Sequence, residues 1–175
     1  MSNDIRTKKL AKGEIVPLSC DFMFAQVFND PNNIDILEEF IADYFGYELE
    51  DVRGNIKLED RNLSKRRYKD NNREVDLIFK YKNKTINIEI STGWDQGIIN
   101  RNVIFLADIH SSQTYENYRK IKSTIQINLL AFTPTKLEEL KTELYLCDPK
   151  TGYIATKKFR MDIINMEKGK NMCYN

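Results

Sequence analysis

The stretch at residues 73–91, REVDLIFKYKNKTINIEIS, decides the fold because it holds two strand patterns joined by a polar turn. The first alternates hydrophobic with polar residues and carries Asp76 in its interior, and the second alternates three isoleucines with polar residues that include Glu89 and Ser91. Period-two alternation is typical of a strand with one buried and one solvated face. The stretch therefore predicts a half-buried hairpin, turning near Lys82, whose pairing could bring both carboxylates to one face of a sheet.

The sequence on either side predicts helices and further strands. A helical pattern follows Ser19, a suitable N-cap, and a second helix with one apolar face ends at Gly46. Residues 51–72 are polar and hold the densest basic cluster of the chain. Beyond the hairpin the patterns predict a helix, an apolar strand for the sheet centre, a short helix and two strands, at residues 95–113, 122–132, 136–141, 144–147 and 159–164. This order predicts a mixed α/β or α+β domain.

The composition is that of an ordinary soluble domain. The chain has 175 residues, of which 41% are hydrophobic and 30% charged, and its 27 basic residues nearly balance its 26 acidic ones. We interpret residues 1–14 as a flexible basic leader and residues 15–175 as a single domain. Three distant cysteines and one histidine, His110, argue against a disulfide framework and a multi-histidine metal site. With no membrane span and no signal peptide in the pattern, a cytoplasmic location is expected.

Two carboxylates on neighbouring strands that face the same way are costly to bury without a cation. Like charges repel, and desolvation disfavours both ionised groups. A hard divalent ion such as Mg²⁺ relieves the conflict, since it accepts one or two carboxylates and completes its shell with water and substrate phosphate. Bound at Asp76 and Glu89, it could polarise a phosphodiester. The alternative is that both acids lie on the solvated face of a hairpin and have no catalytic role.

Five segments, in order along the chain, resemble the PD-(D/E)XK nuclease superfamily, and in particular the Rpn-type recombination-promoting nucleases, also called PD-(D/E)XK family transposases. The hairpin carries an Asp, twelve residues, and then Glu-x-Ser, which is similar to the catalytic core of that superfamily. The segments are PLSCDFMFAQVFND, NIDILEEFIADYF, the strand pair REVDLIF and INIEIS, RNVIFLADIHSSQTYENYRKIKSTIQINLLAF, and TGYIATKKFRMDIINMEK. The resemblance covers most of the chain.

The resemblance implies a restriction-endonuclease-like core, with a mixed central sheet flanked by helices, and metal-dependent cleavage of DNA. By position it makes Asp76 and Glu89 ligands of Mg²⁺ or Mn²⁺, with the Ile90 carbonyl and Asp21 as further candidate ligands. Arg101 matches the Arg that begins the helix after the hairpin. A phosphate-facing role suits its guanidinium fork, and the alternative is a surface Arg paired with a nearby acid.

The sequence departs from the family pattern at the position that acts on the attacking water. The superfamily has Lys two residues after the Glu and this family usually has Gln, whereas this chain has Ser91, whose hydroxyl is uncharged and shorter. Ala25 likewise replaces a Lys of the N-terminal signature. Lys80, predicted on the face of Asp76, could compensate as a catalytic cation or could be a solvated lysine, and Asn87 could assist on the Glu89 face.

A basic cluster at residues 65–69, KRRYK, interleaves Tyr68 with Lys65, Arg66, Arg67 and Lys69. This pattern fits a nucleic-acid contact and equally fits a solvated loop. Trp94, directly after the Glu89 strand, could stack on a base or pack against the following helix.

Two hypotheses of different classes follow. The first is a bacterial or phage-encoded, Mg²⁺-dependent endonuclease that cuts double-stranded DNA, with a homodimer as a sensible arrangement for cutting both strands. The second is a catalytically degenerate protein of the same fold that binds DNA or a partner protein, for example as an inhibitor used by a phage or mobile element. Ser91 and Ala25 motivate the second hypothesis.

Overall fold

A computed structural model of the chain describes residues 21–63, 73–114, 116–134, 137 and 139–170. Its helices are α1 (Asp21–Phe28), α2 (Ile34–Phe45), α3 (Leu49–Val52), α4 (Ile98–Ser111) and α5 (Met166–Lys170), with short 3₁₀ helices at Pro31–Asn33 and Tyr118–Lys120. Its strands are β1 (Ile56–Leu58), β2 (Asn62–Leu63), β3 (Arg73–Glu74), β4 (Leu77–Tyr81), β5 (Lys84–Ser91), β6 (Ser123–Leu130), β7 (Lys141–Tyr145) and β8 (Phe159–Asn165). No helix among the described residues is both long and apolar enough to cross a membrane.

Six strands form one mixed sheet in the order β1-β4-β5-β6-β8-β7, and β2 pairs with β3 separately. The pairs β5–β6 and β6–β8 are parallel, while β4–β5, β1–β4 and β7–β8 are antiparallel. A parallel pair needs a crossover connection, and α4 supplies the one between β5 and β6. The predicted mixed α/β sheet flanked by helices is confirmed, with β5 and β6 at its centre.

The main core lies between one face of the sheet and the pair α1 and α2. The alternate residues of β4, β5 and β6 that face these helices are nearly all aliphatic or aromatic, and burying them supplies the main driving force for folding. The helices contribute Phe24, Phe28, Leu37 and Ile41 to this core, and α2 ends at Gly46 in the left-handed conformation (φ 66°), as its sequence predicts.

The opposite face of the sheet carries the polar residues of β5, and it is buried as well. Seven of the eight β5 residues are buried, including the polar residues Thr85, Asn87, Glu89 and Ser91. The reason is α4, which crosses this face and packs Ile98 on Leu130 and Ile163, and Ile109 on Val75 and Ile78. The prediction of a half-buried hairpin is therefore wrong for β5. Both of its faces are buried, and the period-two pattern separates an apolar buried face from a polar buried face.

Two other expectations need correction, and one strand was not predicted. The first strand pattern divides into β3 and β4, and Asp76 lies in a bend between them instead of inside a strand. Within residues 51–72, for which no strand was predicted, β1 pairs with β4 and extends the sheet. The predicted helix at residues 136–141 is absent from the described positions there, since Leu137, Glu139 and Leu140 are not helical and Lys141 begins β7. The proposed leader, Ser19 and the basic cluster at residues 65–69 lie outside the described residues.

Truncating the central strand tests this architecture. Ile127 of β6 is fully buried between β5 and β8, so Ile127→Ala should lower the free energy of unfolding by about 2–5 kcal/mol. Ile104→Ala on the outer side of α4, where the side chain is 48% exposed, should change it by about 0.5 kcal/mol or less. Urea denaturation of both variants measures the difference, and equal losses would contradict the proposed core.

Candidate active site

Asp76 and Glu89 are joined by reciprocal hydrogen bonds at the carboxyl end of β5. The backbone N–H of Asp76 donates to Oε1 of Glu89 at 3.3 Å, and the backbone N–H of Ile90 donates to Oδ2 of Asp76 at 2.9 Å. Each carboxylate therefore accepts a hydrogen bond from the backbone segment that carries the other. The two acids meet on the face of the sheet that α4 covers, as the strand pattern suggests.

Side chains from other elements position the bend that contains Asp76. Asn29, just after α1, donates its Nδ2 hydrogen to the Asp76 carbonyl oxygen at 2.9 Å, and Arg61 Nη1 donates to the same oxygen at 3.4 Å. Arg61 also forms an ion pair with Glu74. Sequence reasoning missed Asn29, because a contact across 47 residues leaves no local signal.

Glu89 is an unusual carboxyl group because it is only 3% exposed. Burial is the main cause that raises its pKa to about 8, and the nearby charge of Asp76 raises it further. The hydrogen bonds from Asn87 and from the Asp76 backbone, and the charge of Arg101, act in the opposite direction. Without a cation, burial therefore favours the protonated form of this carboxyl. The expectation that both acids lie on a solvated face is not met at Glu89.

Arg101 approaches the site from the first turns of α4. Its Nη2 donates to the hydroxyl oxygen of Ser91 at 3.2 Å, and its guanidinium lies 5.9 Å from the centre of the Phe105 ring. Next to this contact is a cavity of about 390 Å³, and its lining comprises Ile90, Ser91, Thr92, Gly93, Asp95, Gly97, Ile98 and Arg101. The cavity begins at Ile90, directly beside the acid pair, so it offers space for a substrate group.

Lys80 lies away from the acid pair and forms an ion pair with another acid. Lys80 lies opposite Thr85, four residues from Glu89 along β5, which corresponds to roughly 13 Å of strand. Its amine forms an ion pair with Glu59 at 2.8 Å, in a second cavity of about 320 Å³. The predicted compensation by Lys80 is therefore not supported by its position, because Arg101 is the cation that contacts Ser91.

A layer of buried amides lies beside the acid pair, between the sheet and α4. Asn87 donates to Glu89 at 3.0 Å, and Gln126 donates to Asn128, which donates to the Asp162 carbonyl. Three amide atoms have no protein partner among the described residues, namely Asn87 Oδ1, Gln126 Oε1 and Asn102 Nδ2. Buried polar atoms without partners are uncommon. The signal for this layer was present in β6, where Gln126 and Asn128 interrupt a run of buried aliphatic residues.

The remaining predicted site residues are more dispersed. Asp21 is the first residue of α1, and its role as a metal ligand stays a prediction. Trp94 is 54% exposed and packs edge-to-face on Phe132, so it has a packing contact and an accessible surface at once. His110 lies near the end of α4, and its Nδ1 is 2.9 Å from the Thr124 hydroxyl.

The donor atoms at the acid pair fit a hard divalent cation. Two carboxylates and a backbone carbonyl are oxygen ligands of the kind that Mg²⁺ and Mn²⁺ accept. Within the described residues, no group of three or more His, Cys, Asp or Glu side chains could enclose a metal ion. An ion held here would therefore complete its coordination shell with water or substrate oxygens.

Comparison with known proteins gives a family match over most of the chain. A family model described as PD-(D/E)XK nuclease family transposase matches residues 18–173. This range includes both acids, Ser91, Arg101 and all six strands of the main sheet. A search of the curated proteins finds no match.

The raised pKa of Glu89 predicts how stability depends on pH without metal. Between the ordinary value of 4.5 and about 8, the folded protein retains a proton that the unfolded chain releases. The free energy of unfolding should therefore fall as pH rises through this window, by up to about 1.4 kcal/mol per pH unit, and level off above about pH 8. Glu89→Gln, which remains neutral, should lack this loss.

Urea denaturation from pH 5 to 9 in the presence of a chelator measures the effect. Glu50→Gln, at an exposed acid on α3, is the matched control and should follow the wild-type profile. Parallel profiles for wild type and Glu89→Gln would show that Glu89 is ionised in the folded protein at neutral pH.

Proposed function

Because this chain belongs to the PD-(D/E)XK nuclease family transposases, we propose that it is a Mg²⁺- or Mn²⁺-dependent endonuclease that hydrolyses phosphodiester bonds of double-stranded DNA. The observation that carries the proposal is the reciprocal hydrogen bonding that holds the carboxyl groups of Asp76 and Glu89 together. Such a pair has little structural advantage, since burial and mutual repulsion both oppose its ionisation. A bound cation would offset the repulsion between the two carboxylates, so the pair suits a cation-binding site.

The residues of the chain have distinct roles in this proposal. Asp76, Glu89 and the Ile90 carbonyl would hold the cation, which when bound polarises the phosphodiester and lowers the pKa of a coordinated water. Asn87 holds Glu89 by its hydrogen bond at 3.0 Å, and Asn29 holds the backbone of Asp76. Arg101 would face a phosphate oxygen from the other side of the cavity. Glu89 must release its proton when the cation binds, so metal affinity should increase with pH.

The basic cluster and a second copy of the chain have supporting roles. Lys65, Arg66 and Arg67 would contact backbone phosphates outside the cleavage site, which gives binding that weakens with salt. A homodimer would present two sites to the two strands of a duplex. Plasmid cleavage separates a monomer from a homodimer, since one active site gives nicked circles first and two coordinated sites give linear DNA directly.

A second function is favoured by one observation. The hydroxyl of Ser91 already accepts a hydrogen bond from Arg101. Its side chain has neither the positive charge of Lys nor the length of Lys or Gln for orienting a water. The alternative is a protein that binds DNA or a partner protein without cleavage. It requires that the wild type binds duplex DNA, or one protein, and leaves plasmid intact.

Removing either carboxylate should abolish cleavage and weaken metal binding. Asp76→Asn and Glu89→Gln should each lower Mn²⁺ affinity by at least about tenfold in calorimetric titration. Because the cation contributes several kcal/mol to the transition state, plasmid cleavage should fall by at least about a hundredfold. Glu50→Gln removes an acid outside the site and should retain both properties. Equal cleavage by wild type and Glu89→Gln would exclude the proposed enzyme.

A further inference from the structure

Ser91, two residues after Glu89 on β5, is in contact with a cationic side chain from α4. Ser91 points to the same side of β5 as Glu89, one pleat further along the strand, and is only 7% exposed. Arg101 reaches it from α4 and donates to its hydroxyl oxygen at 3.2 Å. A guanidinium group therefore lies where a long side chain at position 91 would place its end.

Arg101 is restrained on more than one side. Besides its hydrogen bond to Ser91, its Nε lies 3.5 Å from Oδ1 of the fully buried Asn102, and its guanidinium lies over the Phe105 ring. A guanidinium presents five donors in a planar fork, and these two polar contacts use only its Nε and Nη2 groups. In the described part of the chain, Nη1 of Arg101 donates no hydrogen bond. The fork therefore keeps donors that can point into the adjoining cavity of about 390 Å³.

A cation at this place suits a bound phosphodiester, whose charge is negative. Lys80 lies away from the cavity beside Ile90, since its amine pairs with Glu59 at 2.8 Å. Arg101 lies close enough to the acids for its charge to act on Glu89, and charge-assisted hydrogen bonds to phosphate oxygens are among the stronger polar contacts.

We propose that Arg101, positioned by Ser91, is the cationic group of this site, and that the pair contacts the phosphate at the cleavage position in place of one long side chain at residue 91. The inference rests on the proposed function for the identity of the substrate. In this arrangement Arg101 contacts the substrate, and Ser91 is a positioning residue that acts through Arg101. A lysine at position 91 would extend into the same cavity and should replace the pair.

The test moves the positive charge from residue 101 on α4 to residue 91 on β5 and measures DNA binding. The set comprises wild type, Ser91→Ala, Arg101→Ala, the double variant Arg101→Ala with Ser91→Lys, and the control Arg119→Ala, which removes an exposed arginine outside the site. Binding to a short fluorescent duplex is measured by anisotropy in Ca²⁺, a hard cation with oxygen ligands like Mg²⁺, at several salt concentrations. Circular dichroism and thermal denaturation establish that each variant is folded.

Arg101→Ala should weaken binding about tenfold and reduce the slope of log affinity against log salt by about one, because one phosphate contact is lost. The double variant should recover both affinity and slope, whereas Arg119→Ala should stay within about twofold of wild type. Ser91→Ala retains the charge without its anchor, so it should weaken binding less than Arg101→Ala and leave the slope unchanged. In Mg²⁺, cleavage by the double variant should exceed that of Arg101→Ala at least about tenfold.

Two results overturn the inference. One is an Arg101→Ala variant that binds with wild-type affinity and salt slope, and the other is a folded double variant that binds no better than Arg101→Ala. If the double variant is unfolded, the comparison of Arg101→Lys with Arg101→Ala decides: Lys should keep the wild-type salt slope and Ala should reduce it by about one, and equal slopes in these two variants overturn the inference. Failure of every protein to cut DNA would overturn the proposed function alone, because the binding comparison needs no turnover.

Discussion

The structure depends on the two hydrogen bonds that cross between Asp76 and the β5 segment around Glu89. Each bond runs from a backbone N–H to a carboxylate oxygen, so the same contacts that fix the strand end also fix the acids. Backbone donors hold the acids in place and cannot neutralise them by proton transfer, unlike a lysine or histidine partner. The pair is therefore ordered in advance by backbone contacts.

The rest of the fold supplies the burial that gives this pair its properties. The core beneath β5 is aliphatic and aromatic, and α4 covers the opposite face, so Glu89 lies between two protein layers. The crossover that α4 makes follows from the parallel pairing of β5 with β6. The pKa of Glu89, the cavity beside Ile90 and the reach of Arg101 to Ser91 are all consequences of that one connection.

Much of this arrangement could be predicted from the sequence, because its signals are local. The alternating pattern around Glu89 predicts β5, the apolar face ending at Gly46 predicts α2, and the run through Ile125 and Ile127 predicts the central strand. The family pattern correctly indicates the family to which the chain belongs. The bend at Asp76 and the short β1 were missed, since neither has a periodicity long enough to recognise.

The environment of the site was harder to predict because it depends on distant segments. Burial of the polar face of β5 requires knowing that α4 returns across it, and the alternation at Asn87 and Glu89 is the same for a solvated face. Two hydrogen bonds join residues that no sequence pattern relates. One runs from Asn29 to the Asp76 carbonyl, and the other from Arg101 to Ser91. Gln126 and Asn128 were the available clue, since amides within an apolar central strand indicate a polar layer under a covering helix.

The two acids differ in how firmly the backbone holds them, and this difference has a consequence for ion choice. Glu89 lies inside β5 opposite Asn128 of β6, one residue beyond the last pair with β4, whereas Asp76 lies in a bend outside the ladder. In the proposed site a cation would therefore meet one ligand fixed by strand pairing and one fixed by hydrogen bonds to its bend. Ions of different radius, such as Mg²⁺ and the larger Mn²⁺, would then be accommodated by a small displacement of the bend, without any change in strand register.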